Sequence, residues 1–105
     1  CFSCEGKVLP LSSTRVKALL KHVPLWRKKG QKITRVFKFR NFREAKGFID
    51  KIAVVADREN HHPDIEWFYN IVKLTLWTHA AMGLTENDFI LAAKIDEITT
   101  KMLRV

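Results

Sequence analysis

The chain has 105 residues, 47% of them hydrophobic, including seven Phe and three Trp, which allows one buried core and excludes both a disordered polymer and a two-domain protein. No run of about 18 apolar residues is present, which excludes a conventional membrane-spanning helix. The formal net charge of +8 is uneven: residues 1–56 hold 14 Lys/Arg against 3 Asp/Glu, and residues 57–105 hold 5 against 8.

Cys1 and Cys4 form a C-x-x-C pair at the start of the chain. No second Cys pair or suitably spaced Cys–His pair completes a zinc site, so plain thiols are expected. Residues 1–11 read as an extended segment of a single domain spanning residues 1–105. In "LSSTRVKALLKHV", Ser12 or Ser13 suits an N-cap, and Val16, Leu19, Leu20 and Val23 follow at helical spacing before Pro24. "LWRKKGQKITRVFKFR" predicts a hairpin, with a short strand around residues 25–28, a turn at Gly30 and a strand around residues 33–40. Phe37 and Phe39 alternate there with Lys38 and Arg40, giving one apolar and one basic face. Such basic residues can attract phosphates or acidic partners, but the simpler expectation is the wet face of a strand pair.

Asn41 and Glu44 predict a capping box for the next helix, whose apolar stripe is Ala45, Phe48, Ile49, Ile52 and Ala56. Pro63 prevents that helix from running on. "DIEWFYNIVKLTLWTH" predicts a second hairpin turning near residues 69–70. Val72, Leu74 and Leu76 share one face of its second strand, and Lys73, Thr75, Trp77 and His79 share the other. Thr85 and Asp88 predict the cap of a last helix with the stripe Leu91, Ala92, Ile95, Ile98 and Met102. The order of elements predicts an α+β fold: a four-stranded antiparallel sheet with three helices packed on one face and the other face bare.

The stretch "RENHHPDIEW" sets His61 and His62 side by side in the loop entering the second hairpin. His79 ends that hairpin on the uncovered face of the sheet, so antiparallel pairing brings it near them. Asp88 follows in the first turn of the last helix. Free imidazole titrates at about pH 6.5, so a cluster can hold one ring neutral and another charged, a base and an acid at neutral pH. Three imidazoles could also hold zinc with an open fourth position, but His61 and His62 would have to turn both rings to one point, which an extended backbone opposes. Ordinary surface or capping histidines are the third reading. Convergence of three histidines with Asp57, Tyr69 and Asp88 favours acid–base chemistry.

The run "DRENHHPDIEWFYN", with "THAAMGLTENDFILAAKID" after it, resembles the pterin-4a-carbinolamine dehydratases. Their signature is an acidic residue, three residues, His-His or His-Asn, Pro, an aromatic, a further His and a final Asp. Asp57, His61, His62, Pro63, Tyr69, His79 and Asp88 hold those positions at the required intervals. "C-x-x-C-x-G…PL", "VPLW" and "FKFRNFREAKGFIDKIA" are similar too, so the likeness covers nearly the whole chain.

The resemblance implies removal of water from 4a-hydroxytetrahydropterin, the adduct left by aromatic amino-acid hydroxylases, giving quinonoid dihydropterin for tetrahydrobiopterin recycling. It implies a catalytic group of His61, His62 and His79, with no cofactor and no metal. We assign His61 and His79 to proton transfer and His62 to binding and orientation; which ring is acid and which base stays open. Asn60, His61, His62 and Pro63, with Trp77, Thr78, His79 and Ala80, are expected to frame the pterin pocket. Trp26 stands where the family has a tryptophan, either stacking on the flat ring or packing at a strand end. Asp57, Tyr69 and Asp88 are expected in support.

There are two departures: Asn87 precedes the motif Asp where some animal members carry a basic residue, and Trp77 replaces a small residue of those members. Both bear on pocket detail and partner binding. A homodimer or homotetramer is expected, since a bare sheet edge tends to pair. Animal members also serve as dimerisation cofactors for a homeodomain transcription factor, so the alternative is a binding module for such a helix, by analogy only. Nucleic acid is not an expected partner, because Phe37 and Phe39 are needed by the core and leave no stacking platform. No leader is expected ahead of the fold, and a cytoplasmic protein is expected, with the nucleus also open.

Overall fold

The computed structural model describes residues 9–102; the Cys1/Cys4 pair and most of the expected extended segment lie outside the described residues. The elements in chain order are α1 (Ser13–Leu20), β1 (Arg27–Lys29), β2 (Lys32–Lys38), α2 (Phe42–Glu59), β3 (Asp64–Phe68), β4 (Ile71–Leu76) and α3 (Glu86–Met102), with one 3₁₀ turn at His79–Ala81. The sheet is antiparallel throughout, in the order β1-β2-β4-β3. The expected α+β fold, with four strands and three helices, is the one observed.

Local chemistry explains the element ends. Ser12 caps α1 by accepting the Arg15 N–H at 3.2 Å, and the chain turns out of the helix three residues ahead of Pro24. Gly30 takes the positive φ of 61° that the tight β1–β2 turn requires. At α2, Asn41 accepts the Glu44 N–H at 2.9 Å as expected. The Glu44 carboxylate reaches one residue further back, to the N–H of Arg40 at 3.0 Å and to its guanidinium at 2.8 and 3.1 Å. That guanidinium, and then the backbone N–H, hold Glu44 below the ordinary carboxylate value.

Pairing of Ile33 with Leu76, Arg35 with Leu74 and Phe37 with Val72 puts these side chains on the helix face. There Ile33, Phe37, Val72, Leu74 and Leu76 pack against Val16 of α1, Phe48 and Ile52 of α2, and Leu91, Ala92 and Ile95 of α3. Phe48 lies at the centre, with Phe37 and Phe39 against it at centroid distances of 4.8 and 4.9 Å. Arg35 is the exception on this face. Its guanidinium lies over the Phe37 ring and meets Asp96 of α3 at 2.5 Å, so a charge inside the sheet–helix seam has its counter-charge. Opposite, Thr34, Val36, Lys38, Lys73 and Thr75 are exposed or half-buried.

Two measurements check this account. Phe48→Ala should lower unfolding stability by about 3–5 kcal/mol in urea, since the cavity opens among residues that cannot collapse onto it. Glu44 is held low, so its contribution is in place above the ordinary carboxylate value and is lost as pH falls through the lowered one. Arg40→Gln should therefore flatten the acid limb of a stability–pH curve.

Candidate active site

The site begins where α2 stops. Asn60 adopts the left-handed conformation (φ 52°, ψ 41°), which asparagine tolerates better than most residues. Its N–H and that of His61 bond back to the carbonyls of Asp57 and Ala56 at 3.3 and 3.1 Å, satisfying groups left over at the helix end. This turn sends the adjacent histidines to different environments: His61 is 5% exposed, whereas the His62 side chain is 60% exposed.

His61 turns inward to Asp88, which is fully buried. The His61 Nε2 to Asp88 Oδ1 distance is 2.6 Å. Asp88 Oδ2 accepts the Thr78 hydroxyl and the Thr85 N–H, both at 2.9 Å. The Thr78 and Thr85 hydroxyls are 2.7 Å apart. Asp88 thus caps α3 from its third position and holds an imidazole with the same carboxylate. The sequence-based cap is half as expected: the Thr85 hydroxyl, the usual capping group, is given to Thr78. His62 Nε2 meets Asp57 at 2.9 Å on the open side.

His79 is not at a strand end as expected. β4 finishes at Leu76, and His79 starts the 3₁₀ turn. The cause is a closed loop: Thr78 and Gly83 exchange backbone hydrogen bonds at 2.9 and 3.3 Å, so pairing with β2 gives way to pairing within the loop. Met82 closes the turn in the left-handed conformation. A Cβ on Gly83 would stand 3.0 Å from Pro10 Cβ, so glycine lets this loop lie against the N-terminal segment. The His79 ring rests against Trp77, with centroids 4.1 Å apart, and the Lys32 ammonium lies 4.5 Å from the centre of the Trp77 ring.

These parts enclose a cleft of about 440 Å³ lined by Asn60, His61, His62, Pro63, Asp64, Trp77, His79 and Ala80, a volume within the range of small-molecule sites. Three expected residues lie elsewhere. Trp26 is buried in the core, its indole N–H on Asp96 at 2.8 Å, because the turn after α1 points it under the sheet. Tyr69 is 66% exposed at the β3–β4 turn, the far end of the hairpin from the histidines, beside Phe42. The Thr78 side chain faces Asp88 and not the cleft.

Asp64 and Thr85 were missed as site residues. Strand alternation carries a signal for Asp64, which pairs with Thr75 on the open face; nothing local marks the Thr85 hydroxyl. Among the described residues, no group of three or more His, Cys, Asp or Glu is arranged to hold a metal ion. Because the two carboxylate–histidine pairs differ in burial, Asp88→Ala should cost about 3–5 kcal/mol of unfolding stability. Asp57→Ala should stay within about 0.5 kcal/mol of wild type in the same urea titration.

Residues 9–98 match the family described as pterin 4 alpha carbinolamine dehydratase. A protein of Dechloromonas aromatica, provisionally named a pterin-4-alpha-carbinolamine dehydratase, is 43% identical over 98 residues, covering 93% of this chain and 88% of its own. One from Legionella pneumophila (strain Corby), named in the same way, is 46% identical over 101 residues, covering 93% and 89%. The crystal structure of a transcriptional coactivator/pterin dehydratase from Brucella melitensis superimposes with a TM-score of 0.81 at 36% identity, over 85% of this chain and 97% of that one. A pterin dehydratase-like RuBisCO assembly factor of the alpha-carboxysome gives a TM-score of 0.62 at 26% identity, over 73% and 92%. With its family signature carried on the cleft, on α3 and on the β3–β4 turn, the chain belongs to the pterin-4-alpha-carbinolamine dehydratase family.

Proposed function

We propose that this chain dehydrates 4a-hydroxytetrahydropterin to quinonoid dihydropterin by histidine acid–base catalysis, as a step in tetrahydrobiopterin recycling. The observation that carries the reading is the convergence of His61, His62 and His79 on one cleft. In the reaction the C4a–O bond breaks and the N5–C4a bond becomes double. N5 gives up a proton, and the departing hydroxyl takes one and leaves as water. One group must accept and another must donate, each within hydrogen-bond reach of its atom. His79, exposed on its closed loop, and His61, anchored through Asp88, take these two transfers. His62, paired with Asp57 at the open side, binds and orients the substrate, and Trp77 lines the cleft beside His79.

β3 is an edge strand with Ile65, Trp67 and Phe68 exposed, which supports assembly of a homodimer by continuing the sheet, and of a tetramer from two dimers. A second reading, a binding module for a transcription-factor helix, draws support from the coactivator description of the Brucella protein. It also draws on an apolar groove of α2 and α3 lined by Lys51, Val54, Val55 and Ile98. No helix among the described residues is long and apolar enough to cross a membrane.

The test is dehydration of freshly made 4a-hydroxytetrahydropterin followed by absorbance, with the spontaneous rate subtracted. Wild type should exceed background, and His61→Ala and His79→Ala should each lose roughly 10²-fold or more. Wild-type protein that is folded yet runs at the spontaneous rate would overturn the proposal and leave the binding module in its place.

A further inference from the structure

We propose that Thr78 and Thr85 are positioning residues of this site, acting through Asp88 on His61. The inference rests on the reading of His61 as one of the proton-transferring groups.

The protons in this buried cluster can be counted. An Asp88 carboxylate only accepts, so His61 Nε2 carries a hydrogen and donates it at 2.6 Å. Thr78 has one hydroxyl hydrogen, and its 2.9 Å contact with Asp88 Oδ2 commits that hydrogen to the carboxylate. In the 2.7 Å contact between the two hydroxyls, Thr85 must therefore be the donor. The chain runs in one direction, from Thr85 to Thr78 to Asp88, and His61 meets the carboxylate from the other side. Hydrogen bonds aligned in this way polarise one another in a site from which water is excluded.

Helix capping does not account for the Thr85 hydroxyl. Asp88 N–H bonds to the Thr85 backbone carbonyl at 3.1 Å, and the Thr85 N–H is taken by the Asp88 carboxylate at 2.9 Å. The hydroxyl is spent on Thr78 instead. Thr78 is also the residue whose backbone closes the His79 loop against Gly83. One side chain thus joins the loop that carries His79 to the carboxylate that anchors His61, and the two hydroxyls set the spacing of the two imidazoles. Misplacement of a reacting group by about 1 Å can cost of the order of 10²-fold in rate.

The test uses Thr85→Val, which keeps the shape and removes the hydroxyl, and Thr85→Ser, which restores it; Thr78→Val and Thr78→Ser form a second pair. Each valine variant should lower kcat for dehydration of 4a-hydroxytetrahydropterin by about 10-fold or more with KM within about twofold, and each serine variant should recover most of it. Imidazole NMR reports on the same cluster independently of activity. In wild type the His61 Nε2 proton should be visible and slow to exchange, and in the valine variants it should broaden or exchange faster. Valine variants with wild-type kcat and an unchanged His61 signal would overturn the inference. So would rapid exchange of that proton in wild type, a result available even if the valine variants fail to fold. Should wild type dehydrate no faster than background, the functional proposal falls, and the NMR comparison still decides the positioning role.

Discussion

A buried carboxylate must find its hydrogen bonds inside the fold, because burying one without donors costs far more than a small domain can offset. Asp88 takes its donors from the loop after α2, from the residues after β4 and from the start of α3. Thr78 and Thr85 lie within ten residues of Asp88, whereas His61 is 27 positions away and reaches it only through the fold. The sheet brings them close, with β3 and β4 paired from Asp64 and Thr75 onward. The carboxylate then sets the remaining distances. Stability and site geometry share a group here, so changes at Asp88 act on both.

The same arrangement separates two histidines that are adjacent in the chain. A left-handed Asn60 turns the backbone at the helix end, so His61 goes to the interior and His62 to solvent. Two imidazoles of one residue type thus acquire different partners: one meets a carboxylate shielded from water, the other a carboxylate open to it. Burial is the means by which a fold gives like residues unlike surroundings. His79 adds a third environment, on a closed loop against Trp77. The indole N–H of Trp77 is buried without an acceptor among the described residues.

Much of the fold was legible because its signals are local. The Asn41 cap and the stripe through Phe48 and Ile52 identify α2, and the alternation of Val72, Leu74 and Leu76 identifies β4 and its buried face. The counter-charge of Arg35 on the helix face was not legible, because its partner Asp96 is 61 positions away. The position of His79 was misplaced for a related reason. Alternation in "LTLWTH" continues past the point where Thr78 pairs with Gly83 instead of with the neighbouring strand. Trp26 fits the family position, yet spacing along a chain does not say which side of a sheet a ring will occupy, whereas Tyr69 stands at the hairpin turn read from the sequence near residues 69–70.

By itself, the sequence determined the fold class, the family signature and the presence of three histidines and two carboxylates in it, since periodicity, caps and motif intervals are read along the chain. Tertiary structure alone decided which carboxylate goes with which imidazole, and which side chains face the cleft. It also decided that the Thr85 hydroxyl meets Thr78 and that the Thr78 hydroxyl meets Asp88. Those outcomes depend on burial and on contacts between segments that meet only once the sheet has formed, and hydrogen bonds of that kind leave no periodic trace in the chain.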